Sequence, residues 1–509
     1  MDTSAVTLAD LVRQQARTRP EAPALTCGSV TLTFAELDRR SSQVANALAG
    51  LGVGRTDRVA MLDKNSTAFF EVVFACAKLG AVVVGLNWRL APPEIATIIA
   101  DAQVCALLVS DEMLPLVPTD LGVPTIVLGE AYEQWLGQAA PTDPQAAVGG
   151  DDAILQLYSS GTTGLPKGAV LTHANLAYTF EMARTAWRMG PDSVNLVPSP
   201  LFHIGGAGYG LTTLSQGGHT VLMREAAPAG LLAAIAKHRV THAFLVPAVV
   251  QSLLDSPEVA STDLSSLQLV GYGAAPMTDT LLLRAIDLLD CLFLGVYGMT
   301  ETAGTVLVLH PEDHDPGGPR APLLRSVGRP LPWVEIAVKD PVTNQDSAPG
   351  EVGEIWVRSG QNMSGYWNQP DTTAQTLVGD GWLRTGDGAH LDAAGFVFLH
   401  DRLKDMIISG GENVYPAEVE NVLASHPAVA DVAVIAVPHE RWGETVKAVV
   451  VLRPGNAVNE QELVDYAREH LARYKCPTSI DVLTALPRNA SGKVLKKDLR
   501  KPYWDRSPR

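Results

Sequence analysis

The sequence predicts an α/β protein: a large N-terminal domain of α/β sheets with a β-rich subdomain, followed by a small α+β C-terminal domain. The chain has 509 residues, and 46% of them are hydrophobic. A chain of this length is too long for one compact core and suggests roughly two to four structural units. Short β-branched runs alternate with helical patterns in the first 300 residues, as in a parallel sheet. After Gly328 the pattern changes to short alternating strands separated by glycine and proline.

Two helices are predicted near the N-terminus, each opened by a capping box. Thr7 with Asp10 and Thr33 with Glu36 have the threonine–acid spacing that satisfies free N–H groups in a first turn, and apolar residues follow at helical spacing. The same alternation of strand and helix resumes from Leu171 to about Val296. The early strands are predicted at residues 58–62, 81–86, 106–110 and 124–128.

The domain boundary is predicted at a hinge near residues 401–405. It separates an N-terminal domain of residues 1–400, with its β-rich part at about 328–400, from a C-terminal domain of residues 401–509. In the C-terminal part, helices are predicted at 416–425 and 460–474. Strands are predicted at 429–437, at 445–452 and near Ile480.

Composition narrows the classes of partner and compartment. A net charge of −16 argues against nucleic acid as a partner. Five scattered cysteines without a CxxC pair fit a reducing compartment, and the N-terminus lacks a signal-peptide pattern, so a cytoplasmic location is expected. The most apolar stretch, 69–86, contains two charges and is too short to span a bilayer. Peripheral membrane contact stays open, as does the choice between a monomer and a homodimer.

The 159–168 loop carries the strongest functional signal. Glycines allow backbone N–H groups to approach an anion, hydroxyls donate hydrogen bonds and Lys167 supplies a positive charge, so a nucleotide phosphate is the expected ligand. The spacing differs from the common P-loop, since Pro166 precedes the lysine and Gly168 follows it. Apolar runs on both sides predict a β-hairpin. The candidate phosphate-binding residues are Ser159, Ser160, Gly161, Thr162, Thr163, Gly164 and Lys167.

Four further motifs also contain groups suited to bind parts of a nucleotide. Small residues at 271–276 follow a predicted strand, where a flat base or a phosphate could lie against the backbone. The segment 297–301 offers an aromatic face, a hydroxyl and a carboxylate of the kind that binds Mg²⁺. Asp387 is suited to bind ribose hydroxyls, and Lys493 lies on a glycine-containing turn near the C-terminus.

Taken in this order, the motifs resemble those of the adenylate-forming superfamily, which includes acyl-CoA synthetases, 4-coumarate-CoA ligases, luciferases and peptide-synthetase adenylation domains. The run at 401–416 is most similar to bacterial fatty acyl-CoA synthetases. The resemblance implies a two-step reaction. ATP and an acid give an acyl-adenylate and pyrophosphate, and coenzyme A then displaces AMP to give a thioester.

The resemblance also implies a role for individual residues. Lys493 would bridge the carboxylate and the α-phosphate in the first step, and Lys404 would be the pivot of a mobile C-terminal domain. Glu301 would hold Mg²⁺. The remaining cofactor-site residues are Gly273, Ala274, Ala275 (adenine), Tyr297 (adenine stacking), Thr300 (α-phosphate), Asp387 (ribose) and Arg402 (ribose or phosphate), and Ser409, Gly410 and Gly411 would contact coenzyme A.

The acyl site is expected around His203. Gly205, Gly206 and Gly208 remove side-chain volume beside it and could open a tunnel, with Val246 in the apolar wall and Gly273 at its edge. No charged residue stands out there to recognise an α-amino group, so the acid is expected to be hydrophobic. A medium- or long-chain fatty acid is the first hypothesis, and an aromatic or steroid carboxylate is the nearest alternative.

Other functions remain as alternatives. An acyl-AMP ligase would pass its adenylate to a carrier protein, a luciferase-like oxygenase could use the same fold, and a non-catalytic nucleotide-binding protein could retain it. A hydrolase is disfavoured because the sequence has no G-x-S-x-G elbow. A dehydrogenase is disfavoured because no G-x-G-x-x-G follows the early strands.

Overall fold

The computed structural model describes residues 6–119, 121–159, 166–402, 405–409, 412–439, 442–456, 458–489 and 492–504, with the backbone alone at 401, 402, 408, 412 and 413. It confirms the mixed α/β class, with a large N-terminal part and a smaller C-terminal part.

The N-terminal part begins with two groups of alternating helices and strands. The first group comprises α1 (Leu8–Thr18), β1 (Pro23–Cys27), β2 (Val30–Thr33), α2 (Phe34–Gly50), β3 (Arg58–Leu62), α3 (Thr67–Leu79), β4 (Val82–Gly85), α4 (Pro92–Ala102), β5 (Val104–Ser110), β6 (Thr125–Leu128) and α5 (Glu130–Gly137). The second comprises β7 (Ala153–Ser159), β8 (Lys167–Thr172), α6 (His173–Thr185), β9 (Val194–Val197), α7 (Ile204–Ser215), β10 (His219–Leu222), α8 (Pro228–His238), β11 (His242–Leu245), α9 (Pro247–Leu254), β12 (Leu269–Gly273), α10 (Asp279–Leu289), β13 (Leu292–Met299) and β14 (Gly304–Leu309).

The rest of the chain is richer in antiparallel strands. Residues 329–402 form β15 (Arg329–Pro330), β16 (Glu335–Lys339), β17 (Gly353–Arg358), β18 (Gly365–Tyr366), α11 (Pro370–Thr376), β19 (Leu377–Val378), β20 (Trp382–Leu391) and β21 (Val397–Arg402). The C-terminal part forms β22 (Ile407–Ser409), β23 (Glu412–Val414), α12 (Pro416–Ala424), β24 (Val429–His439), β25 (Gly443–Leu452), α13 (Glu460–His470), β26 (Ser479–Val482) and α14 (Lys496–Trp504).

Two large sheets form the N-terminal part. One has the order β15-β14-β13-β12-β11-β9-β10-β1-β2 and the other β18-β8-β7-β4-β3-β5-β6. The strands β3 to β7 pair in parallel, and so do β9 to β13, as the alternating pattern predicts. The largest hydrophobic cluster includes buried residues of α1, α2, α3, α6 and α7 together with strands of both sheets. The helices α8, α9 and α10 belong to a second cluster with the nine-stranded sheet.

The helix starts follow the capping chemistry. Thr33 and Glu36 form the predicted reciprocal capping box of α2. At α1 the Thr7 hydroxyl accepts a hydrogen bond from the Asp10 backbone N–H, as in a capping box. The Asp10 carboxylate accepts from the Thr7 hydroxyl and not from the Thr7 backbone N–H that a capping box would use.

The β-rich region forms an antiparallel sheet of β16, β17, β19, β20 and β21. Two other strands of this region belong to the large sheets instead: β15 pairs with β14, and β18 pairs with β8. The β-rich region is therefore joined to both large sheets.

The C-terminal part packs α12 and α13 on a five-stranded sheet, with α14 against β24. The predicted helix at 460–474 ends at His470. Leu471 takes an extended conformation and packs against the core, and a separate 3-10 turn follows at Arg473–Lys475. Within the described ranges, no helix has the length and apolar character needed to cross a membrane.

Candidate active site

The predicted hairpin around the 159–168 loop is present at its base. β7 and β8 are antiparallel, with Tyr158 opposite Gly168 and Ser159 opposite Lys167. A Cβ at Gly168 would lie 2.9 Å from Gln156 Nε2, so a side chain at this position would displace its neighbours. The predicted ligands Ser160, Gly161, Thr162, Thr163 and Gly164 lie outside the described residues.

Glu301 lies directly beside this hairpin. Its Oε1 accepts a hydrogen bond from Ser159 Oγ at 3.2 Å and another from the Tyr366 hydroxyl at 2.8 Å, and the residue is only 5% exposed. Lys167 Nζ lies 5.2 Å from the centre of the Tyr366 ring, within cation–π range. Thr300, which precedes Glu301, begins the 3-10 turn Thr300–Thr302. The structure thus brings Ser159, Lys167 and the 300–301 pair together.

Tyr366 was not predicted from the sequence as a site residue. The residue reaches the site because β18 pairs with β8, and the next backbone N–H, of Trp367, donates to the Gly168 carbonyl at 2.8 Å. The sequence feature that could have pointed to it is a glycine, Gly365, followed by the two aromatic residues Tyr366 and Trp367. Gly365 has a φ of +148°, a conformation that side chains disfavour.

Tyr297 and Asp387 also meet, although 90 positions separate them. The Tyr297 hydroxyl donates to Asp387 Oδ2 at 2.7 Å. Asp387 follows Gly386, whose φ is +72°, and its backbone pairs with Arg402 across β20 and β21. Only the backbone of Arg402 is described, so its predicted contact with ribose or phosphate stays a prediction.

The predicted adenine wall lies next to Tyr297 in the sheet. Gly273 ends β12 opposite Val296, and a Cβ there would lie 2.2 Å from the Val296 carbonyl oxygen. Ala274 has a φ of +64°, which turns the chain away from the strand at once. Ala274 is exposed and Ala275 half-buried, so backbone and small side chains form this surface.

His203 is the N-cap residue of α7. Burial and the nearby Arg89 cation lower the pKa of the His203 imidazole to about 4, so the ring is neutral at pH 7. Its Nε2 is buried and has no hydrogen-bond partner in the described part of the chain. The Ile204 side chain, next in sequence, comes within 3.7 Å of a Cβ built at Gly304.

Three glycines of α7, at the positions where the sequence suggested a tunnel, lie close to neighbouring atoms. A Cβ at Gly206 would lie 2.1 Å from the Pro200 carbonyl oxygen, and one at Gly208 would lie 3.0 Å from Ile204 Cδ1. A Cβ at Gly205 would lie 3.3 Å from the ring of Phe244. At Gly206 the backbone of Pro200 takes the space of a side chain, so this glycine is a packing position, whereas Gly205 and Gly208 contact the Phe244 and Ile204 side chains.

Beyond His203, three aromatic side chains form what we call the aromatic cluster: Trp187, Tyr209 and Phe244. The ring centres of Trp187 and Tyr209 are 4.7 Å apart, and those of Tyr209 and Phe244 are 5.7 Å apart. All three residues are buried. None of the three was predicted as a site residue from the sequence, because a buried aromatic residue such as Trp187 has no distinguishing local pattern.

Lys493 approaches this region from the C-terminal part. A Cβ at the preceding Gly492 would lie 3.4 Å from Val246 Cγ2 and 4.0 Å from Ala248 Cβ. The turn is held locally, since the Lys493 backbone N–H donates to Asn489 Oδ1 at 2.8 Å. The glycine turn therefore lies against the predicted acyl wall, more than 200 positions away in sequence.

The predicted coenzyme A residues are not joined to this group. Ser409 is buried in β22, where it pairs with Gly443 of the C-terminal sheet. Gly410, Gly411 and the predicted pivot Lys404 lie outside the described residues. In the described ranges, no group of three or more His, Cys, Asp or Glu side chains could hold a metal ion.

Comparison with known proteins identifies the family. The model of the AMP-binding enzyme family matches residues 12–367, and that of the AMP-binding enzyme C-terminal domain matches residues 418–493. The fatty acid–[acyl-carrier-protein] ligase ScoC of Streptomyces coeruleorubidus is 40% identical, over 99% of this chain and 98% of that protein. A feruloyl-CoA synthase of an Amycolatopsis species is 41% identical, over 96% and 98%.

A solved structure agrees in fold. The anthranilate CoA ligase AuaEII, in complex with anthranoyl-AMP, superposes with a TM-score of 0.92 at 28% identity, over 99% of both chains. The chain belongs to the AMP-binding enzyme family and is an adenylate-forming, ATP-dependent ligase of the acyl-CoA ligase type.

Proposed function

We propose that this protein joins a hydrophobic carboxylic acid to coenzyme A in two steps. The acid attacks the α-phosphorus of ATP, forming an acyl-adenylate as the bond to pyrophosphate breaks. The thiol of coenzyme A then attacks the acyl carbonyl carbon, and AMP leaves. The main support is the packing of the Gly492 turn, which carries Lys493, against Val246 and Ala248.

In the first step the residues around the hairpin would bind the nucleotide. The 159–168 loop would hold the β- and γ-phosphates, with Lys167 as a positioning charge. Tyr297 would stack on adenine, and its hydrogen bond to Asp387 would orient that carboxylate toward the ribose. The other proposed nucleotide contacts are Gly273, Ala274, Ala275, Thr300 and Arg402.

The chemical difficulty of this step is that a carboxylate and a phosphate, both anionic, must approach each other. Catalysis then depends on alignment and charge neutralisation more than on proton transfer. Lys493 would supply the positive charge between the two groups. His203 is neutral at pH 7, so it would line the acyl site without adding charge.

Glu301 fits the role of a magnesium ligand. Two hydroxyl donors fix its Oε1 in a buried position, and Mg²⁺ commonly binds one or two carboxylates together with substrate phosphates and water. When bound, the ion would neutralise phosphate charge. The protein's part is to hold the Glu301 carboxylate beside the hairpin base.

The second step needs a different arrangement, because the thiol must enter where Lys493 lay. Rotation of the C-terminal part about Lys404 would withdraw the lysine and bring the 409–411 segment toward the site. Ser409, Gly410 and Gly411 are the proposed coenzyme A contacts.

For the acid, the sequence favours a medium- or long-chain fatty acid. The relative named as a fatty acid ligase supports this choice, and the relative named as a feruloyl-CoA synthase supports an aromatic acid. The aromatic alternative gains support from the packing of α7. The glycines expected to open a tunnel lie in close contacts, and the aromatic cluster would limit the space available to a long chain.

A carrier protein is the second candidate acceptor. The relative named as a fatty acid–[acyl-carrier-protein] ligase is the observation that favours it. Supplying free coenzyme A or a phosphopantetheinylated carrier protein, with thioester detected by mass spectrometry, separates the two. Thioester on the carrier alone would reject coenzyme A as acceptor.

The adenylation step is tested by pyrophosphate release with ATP, Mg²⁺ and acids from C4 to C18, alongside benzoic and cinnamic acids. Lys493→Ala should lower the first-step rate by about 10²–10³-fold, since it removes a preorganised charge. Lys497→Ala is the matched control, because Lys497 is exposed on α14. An unchanged rate in Lys493→Ala, or no release with any acid, would reject the proposal.

A further inference from the structure

The strand that carries Ser159 is anchored to the last turn of α4 through the residue before it. Successive side chains of a strand point to opposite faces, so Tyr158 lies on the face of β7 opposite to the one that contacts Glu301. There the Tyr158 hydroxyl donates to Asp101 Oδ2 at 2.5 Å. Burial and the Asp101 carboxylate raise the pKa of this hydroxyl, so it keeps its proton at physiological pH and remains a donor.

The second segment that holds Glu301 is anchored at the same residue of α4. Tyr366 donates to Glu301 Oε1, and the next residue, Trp367, donates its indole N–H to the Asp101 backbone carbonyl at 2.9 Å. The Trp367 backbone N–H also donates to the Gly168 carbonyl at 2.8 Å, which ties the segment to β8. Asp101 therefore contacts both segments whose hydroxyl groups bind Glu301.

Arg58 of β3 fixes the Trp367 ring and links it back to the hairpin. Its guanidinium carbon lies 3.5 Å from the centre of the ring, and the residue is only 8% exposed, so the cation–π attraction acts largely away from water. Arg58 Nε donates to Gln156 Oε1 at 3.2 Å, and Gln156 Nε2 donates to the Tyr158 hydroxyl at 3.0 Å. The contacts between Trp367 and Tyr158 thus form a closed set.

The position of the Glu301 carboxylate depends on these anchors. Mg²⁺ demands near-ideal octahedral geometry, so a carboxylate that binds it must be held closely in place. The hydroxyls of Ser159 and Tyr366 can hold Glu301 only if their own segments are fixed. The residues that fix both segments are here called the anchor network: Asp101, Tyr158 and Trp367.

We propose that the anchor network positions Glu301 for the magnesium ion of Mg-ATP and thereby sets the affinity for this nucleotide in the first step. The network acts through Ser159 and Tyr366, so its members are positioning residues. This inference rests on the proposed role of Glu301 as a magnesium ligand, and it adds residues that the sequence motifs did not single out.

The test measures the binding of Mg-ATP and of AMP to the full-length protein by isothermal titration calorimetry. Glu301 would contact Mg-ATP through the metal, whereas AMP lacks the β- and γ-phosphates. Trp367→Phe keeps a ring beside Arg58 and removes the N–H that Asp101 accepts. We expect the Kd of Mg-ATP to rise by about three- to tenfold, with the Kd of AMP changed by less than about twofold.

Asp101 offers a conservative variant for comparison. Asp101→Asn keeps an oxygen that can accept from Tyr158, so its Kd for Mg-ATP should stay within about twofold of the native value. Asp101→Ala removes that acceptor and should weaken Mg-ATP binding by about three- to tenfold. Thermal melting of each variant reports any general loss of stability, which would weaken the binding of both nucleotides alike.

Combining Trp367→Phe with Tyr366→Phe tests the route of the effect. If the anchor acts through the Tyr366 hydroxyl, Trp367→Phe should add less than about twofold to the loss already caused by Tyr366→Phe. Trp504→Phe is the matched control, because Trp504 Nε1 also donates to a backbone carbonyl, that of Ala436 at 3.2 Å, on α14 of the C-terminal part. It should leave the Kd of both nucleotides unchanged.

The possible results separate this inference from the proposed function. Native affinity for Mg-ATP in both Trp367→Phe and Asp101→Ala, or equal weakening of Mg-ATP and AMP, would overturn the inference. Fully additive losses in the double variant would overturn it as well. None of these results would affect the ligase function, which fails only if the native protein releases no pyrophosphate with any acid.

Discussion

Glu301 is held by hydroxyl groups from two distant parts of the chain, Ser159 and Tyr366. The sequence identified the carboxylate and one of its partners, because both lie in recognisable motifs. It did not identify Tyr366, whose position depends on the pairing of a two-residue strand with β8.

Tyr366→Phe should weaken nucleotide use without abolishing it. The change removes one hydrogen bond to Glu301 and keeps the ring beside Lys167, so we expect kcat/KM for Mg-ATP to fall by about tenfold. Pyrophosphate release measured over a range of Mg²⁺ concentrations should show a raised requirement for the metal. A rate and magnesium dependence equal to those of the native protein would show that this hydrogen bond does not position Glu301.

His173 should contribute to a loss of stability in mild acid. Its Nδ1 accepts the Leu8 backbone N–H at 3.1 Å, and burial lowers its pKa from 6.5 to about 4. The unfolded chain binds the proton below about pH 6.5 and the folded chain only near pH 4. The contribution of neutral His173 to the free energy of unfolding is therefore fully present above pH 6.5 and is lost as the pH falls toward 4. The loss is on the order of 3 kcal/mol at most.

The measurement is denaturant unfolding at pH 7 and pH 5. His173→Gln keeps an acceptor for Leu8 but does not titrate, so its stability should fall less between the two pH values than that of the native protein. Equal losses would assign the pH dependence to other groups, such as His242.

At the level of helices and strands, close packing explains why glycine occurs at certain positions, which the sequence pattern alone could not explain. Gly206 and Gly271 were seen in sequence as small residues beside possible ligands. The structure shows that their missing side chains make room for the Pro200 carbonyl and the Trp187 ring. The helix-start and strand patterns were better guides, since capping and alternation are local properties.

Gly271→Ala should be clearly destabilising. The added methyl would lie 2.0 Å from Trp187 Cη2 in the middle of β12, and overpacking of this kind costs about 1–3 kcal/mol or more. Gly230→Ala in α8 is the control, because the nearest atom would be 3.7 Å away and alanine favours a helix. Urea unfolding of both variants tests the pair. A Gly271→Ala protein as stable as Gly230→Ala would show that Trp187 can move.

At the level of the whole molecule, the Gly492 turn contacts α9, which brings the C-terminal part against the predicted acyl wall. A Cβ at Gly492 would lie 4.0 Å from Ala248 Cβ, which is within the range of a disulfide. This arrangement would suit the proposed first half-reaction, since it keeps Lys493 near the predicted acyl wall.

The double variant Ala248→Cys, Gly492→Cys should therefore trap the protein in this arrangement when oxidised. We expect acyl-adenylate to form on the enzyme while thioester formation falls at least about tenfold, because the second step as proposed requires domain rotation. A reductant should restore thioester formation. Each single variant, oxidised in the same way, controls for the strain of a side chain at Gly492, whose φ is +81°. Thioester formation at equal rates in the oxidised and reduced double variant would reject the rotation.

The α/β class, the parallel strands, the base of the hairpin at 159–168 and the family all follow from the sequence alone. These depend on hydrophobic periodicity, capping residues and short motifs, which act between near neighbours. Which residues meet at the candidate site depends on the tertiary structure. Tyr366 reaches Glu301 across 65 positions, Tyr297 reaches Asp387 across 90, and Trp187 fills the space beside Gly271. Such contacts depend on how whole sheets and helices pack, and no local pattern specifies that packing.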